Sequence, residues 1–135
     1  MLEIKQIQPS ETWEIRHRVM WAGKPFDDIK LPDDIYGQHF GLFRNSVLLS
    51  VVSLFTENDS AQFRKFATET TEQGKGYGAK LLEYLIQECI ERNVKIIWCN
   101  ARSSASGFYE KFGLAIVSDT WVKDGIEYVK MSRNL

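Results

Sequence analysis

Gln73-Gly74-Lys75-Gly76-Tyr77-Gly78 lies between a strand-like run and an amphipathic helical one. Three alternate glycines remove the Cβ atoms that would hold a ligand away from the backbone. The helix that opens here has N–H groups without intrahelical partners and carries the positive end of the dipole. Such a place binds phosphate. A glycine-rich turn that only lets a helix pack closely has the same letters, and the loop alone does not choose between the two.

The flanks narrow the fold. Upstream, residues 36–43, 47–57 and 61–68 read as strands, with turns at Asn45-Ser46 and Asn58-Asp59-Ser60, so they predict an antiparallel meander. Downstream, Leu81, Leu82, Leu85, Ile86, Cys89 and Ile90 share one helix face, and Lys80, Glu83, Gln87 and Glu91 the other. Residues 94–99 form a near-continuous apolar run, as a buried central strand does. Strand, helix and strand in that order predict a parallel pair.

Further out, residues 2–7 alternate as a short strand. Pro9-Ser10 marks a helix start with Ser10 as its cap, and the helix runs to about residue 20, burying Ile15, Val19 and Met20. Residues 21–35, with Gly23, Pro25, Pro32 and four aspartates, read as an irregular loop with one helical turn. Ala105, Phe108, Tyr109 and Phe112 recur at helical spacing before Gly113, a natural stop. A hairpin of residues 114–122 and 126–131 turns at Asp124-Gly125. The fold class is α+β (mixed α/β): a mostly antiparallel sheet with one parallel pair and flanking helices.

The 135 residues suit one domain, residues 1–135, with 44% hydrophobic and 13% aromatic content, enough for a core. Seventeen basic against 18 acidic residues give a formal net charge of -1, which supports neither a nucleic-acid nor a membrane-surface role. The longest apolar run, residues 47–55, is too short to span a bilayer and contains serines. Residues 1–5 lack the regions of a signal peptide. Cys89 and Cys99 have no metal-ligand spacing, so a reduced, cytoplasmic protein without a metal is expected.

Gly74 to Ala79 formally satisfies the dinucleotide pattern G-x-G-x-x-A. That pattern needs an acid at the end of the second strand, and Trp98-Cys99-Asn100-Ala101 has none. The meander also opposes a doubly wound sheet. No Gly-Lys-Ser/Thr follows, as a Walker A loop requires.

Gln-x-x-Gly-x-Gly after a strand and before a leucine-rich helix resembles the acetyl-CoA signature of the GNAT superfamily of N-acetyltransferases. A second stretch, Asn100-Ala101-Arg102-x-x-Ala105-x-x-Phe108-Tyr109-Glu110-Lys111-x-Gly113, resembles the helix after that superfamily's fifth strand. The order of elements agrees as well. The motifs cover residues 60–118, and the tail from Trp121 to Met131 is similar to the bacterial ElaA-type branch. The chain departs from the pattern at Arg102, where many members carry Asn, at Leu114, usually Phe, and at Phe66-Ala67-Thr68, where Val-Asp is frequent.

The resemblance implies a GNAT-like fold whose parallel pair splays to admit the pantetheine of acetyl-CoA (CoA). The backbone of Phe66, Ala67 and Thr68 would pair with that arm. Backbone N–H groups of Gly74, Lys75, Gly76, Tyr77 and Gly78 would hold the pyrophosphate, with Gln73 and Ala79 also in the cofactor site. Asn100, Arg102, Ala105 and Phe108 belong to the second signature's part of the CoA site. The implied reaction is direct acetyl transfer from sulfur to a neutral primary amine, of a small molecule or a protein. A backbone N–H near Ala67 would polarise the thioester carbonyl. Tyr109 would protonate the departing thiolate, although spacing alone makes it part of a core stripe.

For the amine's proton, the candidates are His39, Glu69 and Glu57. A lone strand histidine is more often structural, and Glu69 also fits a solvated charge. The acidic 27–34 segment suits either an acceptor mouth or a solvated loop. Arg16-His17-Arg18 reads as a solvent-facing helix edge, and Cys99 as a small buried residue. The alternatives to an N-acetyltransferase are a nicotinamide oxidoreductase and a non-catalytic CoA-binding module of the same fold. A homodimer through the C-terminal hairpin is left open, with no feature that demands it.

Overall fold

Alternating side chains at Leu2–Ile7 (β1) make an edge strand, and the near-continuous apolar run at Val47–Glu57 (β3) makes an interior one. Between them in the sheet lies Gln38–Arg44 (β2), antiparallel to both, with a register shift between Leu42 and Phe43. The structure, a computed structural model, describes all residues from Met1 to Leu135. It divides into two compact units: Met1–Phe55 with Arg64–Leu85, and Thr56–Phe63 with Ile86–Leu135.

In the first unit, Asn45 and Ser46 take φ of +49° and +69°, the left-handed pair that a tight two-residue hairpin needs. β3 is buried from Leu49 to Leu54, so its two serines need partners. Ser50 Oγ donates to the Ala67 carbonyl at 3.2 Å, and Ser53 Oγ accepts from Arg16 Nη2 at 2.9 Å. The last strand here is the second half of β4 (Ser60–Thr68). Ile7, Ile15, Val51 and Ala67 form a core cluster, with Val19, Met20, Phe43 and Leu48 packed on it.

Several expectations are corrected in this unit. Helix α1 spans only Trp13–Met20, after a 3-10 turn at Pro9–Thr12. Ser10 is therefore no cap; the Glu11 carboxylate instead accepts the Gln8 N–H at 2.7 Å. Arg16 is fully buried, so it does not lie on a solvent edge, whereas Val19 and Met20 are half-buried. Two 3-10 turns, Phe26–Ile29 and Pro32–Tyr36, occupy the loop where one helical turn was expected. The second delays β2 to Gln38 and leaves Tyr36 78% exposed.

In the second unit, Ile96–Arg102 (β5) pairs in parallel with the first residues of β4, Ser60–Gln62 against Ile96–Trp98. This is the expected parallel pair, and its register covers three residues while β5 runs on to Arg102. β5 also pairs antiparallel with Ile126–Asn134 (β8) along its whole length. Ser106–Glu110 (α3) is short, and Ala105 precedes it in a 3-10 turn. Gly113 ends this segment at φ +84°. The expected hairpin is interrupted: Ala115–Ile116 (β6) and Trp121–Lys123 (β7) both pair with β8, in registers offset by two residues. Ser118 absorbs the offset by accepting the Lys130 N–H on its hydroxyl at 2.9 Å.

Tyr77–Glu91 (α2) begins in the first unit and ends in the second. Leu81, Leu82, Leu85, Ile86 and Cys89 are buried, but Ile90 is 43% exposed. At about 100° per residue, Ile90 lies roughly 100° from the centre of the buried stripe. No helix is long and apolar enough to cross a membrane.

Candidate active site

The glycine loop lies in the first unit and opens α2. Gly74 and Gly76 take φ of +79° and +86°, and a Cβ on either would meet nothing within 4 Å. These two glycines are required by backbone handedness, and open space lies beside them. Gly78 differs, because its backbone is not left-handed. A Cβ there would touch the Phe66 ring and Thr68 Oγ1 at 3.5 Å, an ordinary contact. Three glycines expected to serve one purpose therefore serve two.

The Gly76 carbonyl accepts the Lys80 N–H at 3.1 Å, which starts the helix. The N–H groups of Tyr77, Gly78 and Ala79 then have no carbonyl four residues back within it. Gln73 Nε2 donates to the Thr68 carbonyl at 3.0 Å, tying the loop to the end of β4. Within β4, Lys65 takes φ +56°, a left-handed residue that bends the strand before Phe66. The Ala67 and Thr68 carbonyls already accept from Ser50 and Gln73.

Beneath the loop is a cluster that sequence reasoning missed. Arg44 forks onto the Glu72 carboxylate, Nη2 to Oε1 at 2.9 Å and Nη1 to Oε2 at 3.1 Å, and Nη1 also donates to the Tyr77 hydroxyl at 3.0 Å. Lys75 Nζ donates to Glu72 Oε2 at 2.9 Å. Hydrogen bonds from Lys75 and then Arg44 hold the Glu72 carboxyl below its ordinary range. The three-residue spacing of Glu72 and Lys75 was a readable signal. Arg44, 28 residues from Glu72, offered none.

The two leading base candidates have different surroundings. His39 is 1% exposed; Nδ1 lies 2.7 Å from Ser53 Oγ and Nε2 lies 2.9 Å from the Asp34 carbonyl. Both nitrogens are occupied inside the core, an arrangement that suits a structural histidine. Glu69 is bound by Arg18, at 2.8 Å and 3.2 Å, on the half-exposed surface. Glu57, the third candidate, is exposed at the end of β3. Three of the four aspartates in the 27–34 segment have cationic partners. Asp27 pairs with Lys30, Asp33 with Arg64, and Asp34 is buried against Arg16.

In the second unit, Tyr109 packs edge-on to Phe108 at 5.2 Å and tilted on Phe63 at 5.7 Å between ring centroids. Burial, reinforced by Cys99, pushes its phenol well above the ordinary tyrosine value. Cys99 itself is pushed up to about 12 and Cys89 to about 11 by burial, so neither is a thiolate nucleophile. Asn100 and Arg102 are exposed on β5 and Ala105 is half-buried. The hydroxyl of Ser103, which no sequence signal singled out, is buried without a partner.

Residues 32–135 match the acetyltransferase (GNAT) domain family. The chain belongs to the GNAT acetyltransferase family. The uncharacterized N-acetyltransferase YitI of Bacillus subtilis (strain 168) is 32% identical over 122 residues, 84% of this chain and 82% of its own. Among solved GNAT-like structures, a putative N-acetyltransferase from Lactobacillus plantarum superposes with TM-score 0.89 at 18% identity, covering 99% of this chain and 98% of that one. Escherichia coli ElaA superposes at 0.84 and 20% identity, covering 98% and 99%. The ribosomal-protein-S18-alanine N-acetyltransferase of Escherichia coli also reaches 0.84, at 21% identity, covering 99% and 94%. At these identities the structures establish the fold, and the family match with the B. subtilis relative makes the chain an N-acetyltransferase.

Proposed function

We propose that this protein transfers an acetyl group from acetyl-CoA directly to a primary amine of a small molecule or a protein, in the cytoplasm. The observation that carries the reading is the glycine loop: two left-handed glycines with open space beside them, at the opening of α2. Residues 73–79 fit a pyrophosphate, because backbone donors and Lys75 sit where no side chain blocks approach. The backbone of Phe66–Thr68, in the same unit, would pair with the pantetheine arm; Asn100, Arg102, Ala105 and Phe108, in the second unit, are proposed as CoA-site residues on the family resemblance alone.

Bound there, acetyl-CoA supplies an activated acetyl thioester. Tyr109 keeps its proton at any working pH, since burial raises its phenol; the same rise makes that proton harder to give up, so Tyr109 would assist the departing sulfur chiefly by hydrogen-bonding to it. Glu69 takes the amine's proton after parting from Arg18. The half-exposed ion pair makes that parting cheap. The acceptor class follows from family membership and is drawn broadly, since one solved neighbour is named for a protein amine.

A second reading is a CoA-binding module without catalysis. It is favoured by the occupied ring of His39 and the Arg18 pair on Glu69. Thermal melting with acetyl-CoA, CoA, NADH and ATP at matched concentration tests the loop. A ligand at 100 times its Kd adds about 2.7 kcal/mol. Selective stabilisation by acetyl-CoA and CoA supports the site, and its absence in a folded sample overturns it. CoA release with a panel of amines then separates enzyme from module.

A further inference from the structure

We propose that Glu72 parks Lys75 beside the loop in the unliganded protein and releases it to a phosphate of the bound ligand while staying paired with Arg44. The inference rests on the reading of residues 73–79 as a pyrophosphate site and adds a positioning residue to it.

One carboxylate receives three donors from two cations: two from Arg44 and one from Lys75. Glu72 is 8% exposed, so it needs a cation at all times. Arg44 supplies that need alone, because its planar fork matches the carboxylate at both oxygens. Arg44 is also fixed by the Tyr77 hydroxyl at 3.0 Å, so it cannot leave without disturbing the first residue of α2. Lys75 has no such tie. Its side chain is 51% exposed, and it stands between two left-handed glycines whose surroundings are open. A lysine is a point charge on a flexible stem, able to exchange one oxygen anion for another of higher charge. When a pyrophosphate arrives, Lys75 can turn to it without leaving a buried charge alone. In its absence, Glu72 neutralises Lys75 and keeps two cations from repelling each other at the base of the loop.

The test is a double-mutant cycle on CoA affinity, at low salt, with Glu72→Gln, Lys75→Met and the double variant. Glu72→Gln keeps an acceptor for Arg44 but gives up the parked ion pair. It is expected to tighten CoA about fivefold with Lys75 present and less than twofold in the Lys75→Met background, about the worth of one half-exposed pair. The KM for acetyl-CoA should follow, with kcat unchanged. An equal gain in both backgrounds means simple relief of charge repulsion and overturns the proposal. An equal loss in both means a plain brace and overturns it too. Glu72→Asp guards against a folding defect: it keeps the charge by Arg44 but draws it back from Lys75, so a gain of about twofold is expected and a loss in a normally melting sample counts against parking. If the folded wild-type protein binds no CoA, the pyrophosphate reading falls and takes this inference with it.

Discussion

Arg16 and Asp34 form a buried ion pair, Nη1 to Oδ2 at 2.9 Å, that joins helix α1 to the 3-10 turn before β2. Arg16 is 0% and Asp34 4% exposed. The Leu31 N–H and, weakly, the Trp13 indole add to the same oxygen. Ser53 carries the network on to His39. One ion pair thus ties helix α1 to the acidic segment that composition alone left as an acceptor mouth or a solvated loop.

Removing one partner leaves the other charged and dry. Asp34→Asn is expected to lower stability by about 3 kcal/mol, read by chemical denaturation. Arg16→Met combined with Asp34→Asn should recover part of that loss. Burial alone would raise the Asp34 carboxyl, but Arg16 and the Leu31 N–H outweigh it and set the group below its ordinary 3.8. A lowered carboxyl contributes stability above its unfolded value, lost as pH falls through the folded one. Unfolding midpoints should therefore drop below about pH 4, and Asp34→Asn should flatten that limb. A wild-type acid limb that survives Asp34→Asn intact contradicts the assignment.

The loop glycines separate backbone strain from ligand approach. Gly76→Ala forces a left-handed alanine and should cost about 1 kcal/mol, with nothing nearby to clash. Gly78→Ala meets only ordinary contacts inside α2 and should be neutral or stabilising by up to about 1 kcal/mol. If CoA lies against the Tyr77–Ala79 N–H groups, Gly78→Ala weakens its binding about five- to tenfold while the melting point holds. Unchanged CoA affinity in Gly78→Ala places the ligand elsewhere.

Tyr109→Phe is expected to slow turnover about 10²-fold or less, with KM for acetyl-CoA little changed. Its phenol is raised, so the acid form persists, and loss of that proton should produce no fall in kcat between about pH 7 and about pH 10. Full activity of Tyr109→Phe at every pH removes it from catalysis and returns it to the aromatic cluster with Phe63 and Phe108.

Glu69 and His39 should behave oppositely. Glu69→Gln loses only a half-exposed pair with Arg18, so stability falls by no more than about 1 kcal/mol, while kcat drops about 10²-fold. His39→Phe takes one partner each from the buried Ser53 hydroxyl and Asp34 carbonyl, which keep Arg16 Nη2 and the Gly37 N–H, and should cost about 1 kcal/mol, with kcat per folded molecule kept. Measuring both quantities for both variants decides it. A kcat loss confined to His39→Phe would reverse the roles.

Local chemistry carried the strands, the three turns at Asn45, Asn58 and Asp124-Gly125, the glycine loop and the face of α2, because each depends on neighbours a few residues away. Asn45-Ser46 and Gly76 were legible for that reason. The short α3 and the interrupted C-terminal hairpin were not, since Ser118 meets Lys130 only after β8 has paired.

By itself the sequence determined the order of the main elements, the parallel pair, a glycine loop opening a helix and the family, all of which rest on local spacing and motif order. Only the tertiary structure decided which charges are paired. Arg16 reaches Asp34 across 18 residues, His39 reaches Ser53 across 14, and Arg44 reaches Glu72 across 28. A charged side chain reads the same in sequence whether it faces water or a partner. Burial, which folding alone creates, makes the partner obligatory.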